Sequence, residues 1–491
     1  MTAIIKNDKI EIINPASSDT VASLDCYTDK DIDKIINDAT LFNDWNKLHL
    51  LKRCAIIDRF RKIILKNQYK VREVLKKETG KKDFDVFVEL FALMEHMKET
   101  VKIAKVALRP SPRNSGLLKN KKAYVLYEPV GLVGIISPWN YPLTTPMSSV
   151  VQALLAGNNI ILKPSEHTPL TMLYIKELWD RYIGYKNAFN IIIGDSMAGK
   201  MIVDSDKIDL ICFTGSTKVG KLIAKKCAEN LKPHVLELGG KDPLIILKDA
   251  NLKRAVESSL FAGYSNAGQT CISVEDVFVE EEVFEQYLKI MKERVSSMSS
   301  GNEDSMEIGS MIMSENCKKV KDFINEIEDK DKIIKGNVVD NNMYIAPTLI
   351  INPPNESSIV NKETFGPVIC VYSFKDEKDL LKKVHRSGYG LAGSIFGRNK
   401  KRIKGIVAQL KIGSVSINDV FTHYGVASLP FGGEGQSGIG RLHGYEGLRA
   451  LSRTKSVLEN RFNVLPDPWW FGYSGRFERL LNIFLKYYYR L

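Results

Sequence analysis

The chain is poor in cysteine: seven thiols in 491 residues, odd in number and without a C-x-x-C spacing. That excludes a disulfide scaffold and a zinc ribbon, and it fits a reducing cytosol. No metal site is expected. No run of 18 apolar residues occurs, so no spanning helix is expected. Met1 to Asn14 has no apolar core, so no signal peptide is expected. Repeats and low-complexity tracts are absent. With 44% hydrophobic and 26% charged residues, a disordered tail protein and a fibre are excluded. The length predicts two or three domains with a real core. The net charge is +12. The excess is lysine spread over many helices, and no nucleic-acid module is recognisable, so no nucleic-acid partner is expected.

The first third reads as helical. Thr28-Asp29-Lys30-Asp31 is a capping-box-like start, followed by Ile32, Ile35, Ile36 and Ala39 at helical spacing. Longer helical patterns cover 49–78 and 84–107, and 109–122 reads as a loop or hairpin turn. From Tyr124 the texture changes. Apolar runs of strand length occur at 132–136, 159–162, 189–193, 209–213 and 244–247, with amphipathic helices near 168–182, 197–204 and 217–231. Apolar strands alternating with helices predict parallel βαβ units. A second α/β stretch runs from about 252 to 430, broken by a serine-rich loop at 295–301.

Two glycine motifs need care. Gly433 to Gly438 matches G-x-G-x-x-G but lies near the end of the chain with no βαβ unit after it, so it is rejected as a dinucleotide turn. Gly215 to Lys221 nearly matches a phosphate loop, but Leu222 replaces the Mg²⁺-binding hydroxyl, which argues against a nucleoside triphosphatase. The site still follows a strand and opens a helix, whose free N–H groups can carry a pyrophosphate.

Cys271 stands in Asn266-Ala267-Gly268-Gln269-Thr270-Cys271, among small polar residues unlike a core cysteine; Cys212 and Cys227 fit the buried default. Glu237 is an acid inside the apolar run Val235-Leu236-Glu237-Leu238-Gly239-Gly240. Such a carboxylate is either paired or kept as a base. Asn140, in Ser137-Pro138-Trp139-Asn140-Tyr141-Pro142, is either an oxyanion donor past a strand end or an Asx turn before proline. Lys163 and Glu166 end another strand, on the edge of a parallel sheet where ligands bind.

The order SPWNYP, LKPSE, FTGSTKVG, LELGGKDP, GQTC and ETFGP resembles the NAD(P)-dependent aldehyde dehydrogenase superfamily over about residues 10–461, and 34 positions separate Glu237 from Cys271, as is usual there. The resemblance implies that Cys271 is the nucleophile, Glu237 the general base and Asn140 the oxyanion-hole amide. It implies cofactor contacts from Trp139, Lys163, Glu166, Gly215, Ser216, Gly220, Leu238, Glu363 and Phe365. It also implies an α/β fold: a modified Rossmann cofactor domain (1–110 and 130–239), an α/β catalytic domain (240–436) and a small bridging domain (111–129 and 437–461) that makes dimers or tetramers. The expected reaction is oxidation of an aldehyde through a Cys271 thiohemiacetal and thioester, hydrolysed by water that Glu237 activates. Succinate-semialdehyde-type and CoA-acylating enzymes are the alternatives; Glu237 argues against the second.

Some features depart from the pattern. After Cys271 the chain reads Ile272-Ser273-Val274-Glu275-Asp276, acidic where many members carry an arginine, which resembles class 3-like and some bacterial enzymes, while the full-length N-terminal extension is unlike class 3, so the subfamily stays open. No basic residue around the cysteine selects a carboxylated substrate. Glu166 should accept from a ribose 2′-OH and repel a 2′-phosphate, which favours NAD, while Lys163 leaves NADP open. The tail, 462–491, adds Trp469-Trp470-Phe471-Gly472-Tyr473 and a basic, aromatic, amphipathic stretch from Arg476 to Leu491. It reads as a helix that either docks on protein or lies on a membrane surface. The expected enzyme is cytoplasmic, with membrane contact through this tail as a further expectation.

Overall fold

The computed structural model describes residues 3–6, 8–41, 44–339, 342–462, 467, 469–471 and 474–489. The expectations for Gly472, Tyr473, Arg490 and Leu491 lie outside these. Two compact units emerge: residues 1–108 with 128–453, and residues 109–127 with 454–491.

The larger unit is built on two mostly parallel sheets. The first has six strands in the order Gly438–Ile439, His234–Glu237, Leu210–Thr214, Leu132–Ile136, Asn159–Lys163, Phe189–Ile191. All pair in parallel except the Gly438–Ile439 edge. Leu132–Ile136 and Asn159–Lys163 are almost entirely buried, so they carry apolar side chains on both faces. The chain runs outward from Leu132–Ile136 in one direction and then returns to its other side with Leu210–Thr214. The carboxyl ends of these two strands therefore flank the switch point, where such sheets bind ligands.

The second sheet has seven strands in the order Ile333–Lys335, Thr348–Ile351, Val368–Phe374, Val274–Glu280, Asp242–Ile246, Ala392–Phe396, Ser414–Ile417. It centres a large apolar core around Phe278, Tyr287, Phe374 and Phe396.

The capping box forms as read: Thr28 N–H and Oγ1 bond the Asp31 carboxylate, and Asp31 N–H returns to Thr28 Oγ1, opening the helix Asp29–Leu41. The helical reading fails before it. Lys9–Ile13 and Thr20–Asp25 pair in an antiparallel three-stranded sheet with Ala3–Lys6. In Lys9–Ile13, Ile10 and Ile12 are fully buried while Lys9 and Glu11 are exposed, a period of two rather than 3.6.

The smaller unit carries a three-stranded sheet, Ser452–Asn460 beside Lys121–Pro129 beside Ser111–Arg113. Within it the Lys121 ammonium pairs with the Asp467 carboxylate at 2.5 Å. Its second segment starts at Thr454, later than the expected 437, because Gly438–Ile439 joins the six-stranded sheet and the helix Gly444–Ala450 belongs to the larger unit. The tail forms the helix Gly475–Tyr488, capped by Ser474, with Leu480, Leu481, Ile483 and Leu485 all exposed. Among the described residues no helix is long and apolar enough to cross a membrane.

Candidate active site

The loop that bears Cys271 is bent into an uncommon shape. Asn266, Ala267 and Gly268 all have left-handed backbones, with φ of 52°, 54° and 70°. Two of the three are not glycine, and such conformations persist only where the surroundings over-determine them. Gln269 supplies that constraint. It is fully buried, its amide donates to the carbonyls of Asn266 and Ser310, and its Oε1 accepts from Ile312 N–H. Its own carbonyl accepts from the Asn140 and Asn266 amides. Gly268 cannot be replaced, since a β-carbon there would lie 2.1 Å from the Gly366 carbonyl oxygen.

Asn140 follows the carboxyl end of Leu132–Ile136. One of its amide protons goes to the Gln269 carbonyl at 2.9 Å, which fixes the side chain beside the cysteine loop. An amide carries two protons, so this bond leaves a second donor. Tyr141 bonds Thr270 Oγ1 at 2.9 Å and lies under the Lys81 ammonium, 4.1 Å from its ring centroid.

Glu237 ends the strand His234–Glu237 and is 4% exposed. Among the described residues neither carboxylate oxygen has a hydrogen-bond partner. Burial holds its carboxyl well above the usual carboxylate range, and the Arg441 guanidinium only partly opposes this. The Cys271 thiol is likewise pushed up, first by burial and then by the charges of Asp242, Glu363 and Glu237. Among the described residues no cation offsets this, and the thiol must lose its proton to a base.

Gly239 and Gly240 allow this crowding. A β-carbon on Gly239 would lie 2.6 Å from the Glu363 carboxylate. Gly240 N–H donates to Glu363 Oε1 at 3.0 Å. Burial and Glu275 push the Glu363 carboxyl up to about 7. Glu275 itself is buried. It accepts from Thr364 and Phe365 N–H and pairs with Lys241 at 2.8 Å. The acidic pair after the cysteine is thus neutralised internally, with Asp276 facing Lys241 and Arg386. It holds the 363–365 loop in place.

The cofactor candidates divide in two. Trp139, Gly215, Ser216, Leu238, Glu363 and Phe365 line the same cavity as Cys271, Glu237 and Asn140, about 670 Å³ in volume. Trp139 and Phe365 meet edge to face at 5.5 Å. Lys163, Glu166 and Gly220 do not line it. Lys163 and Glu166 pair at 3.0 Å past the strand Asn159–Lys163. Gly220 packs the helix Thr217–Glu229 so tightly that a β-carbon would lie 2.4 Å from Leu238.

These residues fit a dinucleotide. The strand Leu210–Thr214 leads through Gly215 into a helix capped by Ser216, and the cavity reaches that turn. The rejected glycine motif is a short turn and edge strand instead, with Gly438–Ile439 antiparallel to His234–Glu237.

Sequence reasoning missed several supports. Lys81 and Glu89 form a fully buried pair at 2.6 Å, and Glu89 also caps the helix Thr144–Ala156 through Leu143 and Thr144 N–H. Asp242 accepts from Ala392 N–H beside the cysteine loop. Its place in the quoted LELGGKDP motif was the one available signal.

Comparison with known proteins accords with this geometry. The model of the aldehyde dehydrogenase family matches residues 4–457. A Mycobacterium tuberculosis protein that carries the name succinate-semialdehyde dehydrogenase (NADP+) 2 is 32% identical over 432 residues, 86% of this chain and 83% of its own length. A 4,4'-diapolycopene aldehyde oxidase of Methylomonas is 31% identical over 448 residues, covering 91% and 84%. Betaine aldehyde dehydrogenase of Staphylococcus aureus, solved with NAD+, superposes with a TM-score of 0.87 at 29% identity, covering 94% of each chain. An E. coli NADP-dependent enzyme gives 0.87 at 26% identity, covering 92% and 95%. A buried cysteine loop, an unpartnered acid and a dinucleotide turn on one cavity are what such chemistry requires, and the chain belongs to the aldehyde dehydrogenase family as an NAD(P)-dependent enzyme that oxidises an aldehyde.

Proposed function

We propose that Cys271 attacks the aldehyde carbon, with Glu237 taking the thiol proton. The second Asn140 amide proton and the Cys271 N–H stabilise the resulting oxyanion. NAD(P)+, when bound, would supply the hydride acceptor for the thiohemiacetal carbon. Glu237 passes the thiol proton to solvent and then draws a proton from water, which attacks the thioester, breaks its C–S bond and releases the acid and the Cys271 thiolate. Lys163 and Glu166 would hold the adenosine ribose, Gly215, Ser216 and Gly220 the pyrophosphate, and Trp139, Leu238, Glu363 and Phe365 the nicotinamide side. The single observation that carries this reading is the buried, unpartnered Glu237 carboxylate on the cavity that holds Cys271. A hydrolytic enzyme needs that base; thiolysis does not.

NAD is the preferred cofactor in this reading. Burial raises the Glu166 carboxyl, but the Lys163 ammonium more than offsets it, so the group is held below its ordinary value and ionised. A 2′-phosphate would meet that charge. The six-stranded layer serves as the cofactor domain, the seven-stranded layer as the catalytic domain and the smaller unit as the bridge of a homodimer or homotetramer. The test is NADH formation by the purified protein across an aldehyde panel, with Cys271→Ala as control. Activity that survives in Cys271→Ala overturns the assignment.

We infer further that this cytoplasmic enzyme makes peripheral contact with an anionic membrane surface through Gly475–Tyr488. The helix exposes Leu480, Leu481, Phe484 and Leu485 on one side and carries Arg476, Arg479 and Lys486. Protein truncated after residue 468 should lose cosedimentation with anionic vesicles. Equal cosedimentation of both forms overturns the contact, and a drop in oligomer mass on truncation assigns the helix to a neighbouring subunit instead.

A further inference from the structure

The cavity that Cys271 lines has two kinds of wall. On one side stand Thr214 to Ser216, Glu363, Phe365 and Lys319, the cofactor side. The other wall is mostly apolar and aromatic, with Val88 and Phe91 from the helix Asp83–Ala107, Phe261, then Phe421, Tyr424 and Phe431, and Glu89, Glu95 and His443 among them. Cys271, Phe421 and Tyr424 pack against the small cluster formed by Ile272, Leu391, Ala392 and Phe431. The nucleophile therefore opens onto hydrocarbon and aromatic surface.

The charged groups on this side, Glu89 and Glu95, are already paired, and the Tyr141 hydroxyl is bonded. The Glu89 carboxylate is held by Lys81 and by two backbone N–H groups. The Tyr141 hydroxyl is bonded to Thr270. Glu95 pairs with Lys98 at 3.2 Å. His443 is held far below the usual histidine range by burial and by His96 and His423, so it is neutral. Lys319 is the only lysine or arginine among the described lining residues, and its ammonium donates to the Glu363 carbonyl on the cofactor side. A substrate carboxylate would be buried here without a cation and near Glu89 and Glu95. A quaternary ammonium would find aromatic rings, but the Glu89 and Glu95 carboxylates are already paired with Lys81 and Lys98.

The apolar surface continues outward. Phe84, Phe87, Val88 and Phe91 share one face of the helix at a spacing of three and four residues and are 63%, 46%, 38% and 62% exposed. Phe87 and Phe91 stack at 6.2 Å.

We propose that this side selects an apolar aldehyde, an aryl group or an alkyl chain of about six carbons or more, and rejects carboxylated and quaternary-ammonium aldehydes. The inference rests on Cys271 being the nucleophile. Each methylene moved from water onto such a surface should raise kcat/KM by about threefold until the walls are filled.

The test uses the full-length enzyme with saturating NAD and a panel of acetaldehyde, butanal, hexanal, decanal, benzaldehyde, succinic semialdehyde and betaine aldehyde. Expected is a kcat/KM that climbs from acetaldehyde to hexanal by about 50-fold or more, with both charged aldehydes at least about tenfold below hexanal. A flat alkanal series, or succinic semialdehyde or betaine aldehyde as best substrate, overturns the inference and leaves the dehydrogenase assignment intact. Cofactor binding without oxidation of any aldehyde overturns the assignment itself. Phe91 is exposed, so Phe91→Arg should fold. It should lower the decanal-to-butanal ratio and raise the succinic semialdehyde-to-hexanal ratio, each by about tenfold. Unchanged ratios would remove Phe91 from the selecting wall.

Discussion

Gly240 lies directly against the nucleophile: a β-carbon on it would sit 2.3 Å from the Cys271 carbonyl oxygen. The contact is with backbone, which cannot swing aside. Gly240→Ala should therefore displace the cysteine loop, costing about 1–3 kcal/mol of stability. A shift of about 1 Å at the reacting centre should lower kcat by about a hundredfold. Steady-state kinetics beside a urea melt checks both; wild-type kinetics would mean the loop has slack that its bonding pattern denies.

Glu237→Gln keeps the shape of the base and removes its proton affinity. Acylation should survive in part while deacylation fails. Rapid mixing should show a burst approaching one NADH per active site, followed by turnover about 10² to 10⁴ slower than wild type. Normal turnover would transfer the base to another group.

Glu166→Gln should relax the cofactor preference. Removing one carboxylate near the 2′ position should raise the NADP-to-NAD ratio of kcat/KM by about tenfold or more. Parallel titrations of the two cofactors measure it, and an unchanged ratio would place the ribose elsewhere.

His96 and His443 are buried with their rings 4.5 Å apart, and the half-buried His423 acts on His443. Burial pushes His96 and His423 down to about 4. An unfolded histidine titrates near 6.5, so the unfolded chain binds these protons first as pH falls. The stability that His96 contributes is complete above about pH 6.5 and is lost progressively toward pH 4. The raised carboxyls of Glu237 and Asp242 act in the opposite sense, so the single-site effect is read by difference. The penalty of His96→Gln in urea melts should shrink by about 2 kcal/mol between pH 7.5 and pH 5. A penalty independent of pH would mean that His96 is not held neutral.

The reach of sequence reasoning followed the distance between partners. Cys271, Glu237 and Asn140 were legible because each sits in a short run whose texture is wrong for a core. Strands such as Leu132–Ile136 and Leu210–Thr214 were legible because both faces are buried and the runs are continuous. The N-terminal sheet was missed because Lys9–Ile13 alternates over only five residues. Glu275 was read as a family departure, whereas its partners Thr364 and Phe365 lie about 90 positions away and no local pattern points to them. The acyl-side wall was illegible for the same reason: Phe91, Phe261 and Phe421 are ordinary aromatics until the fold gathers them.

Gln269 makes six hydrogen bonds, to the Asn266 carbonyl twice, to the Ser310 carbonyl, and from Ile312 N–H and the Asn140 and Asn266 side-chain amides. The cysteine loop is consequently set before any aldehyde arrives. Little binding energy has to be diverted into assembling the site, and discrimination among aldehydes must come from how well each one matches a mould that is already cast.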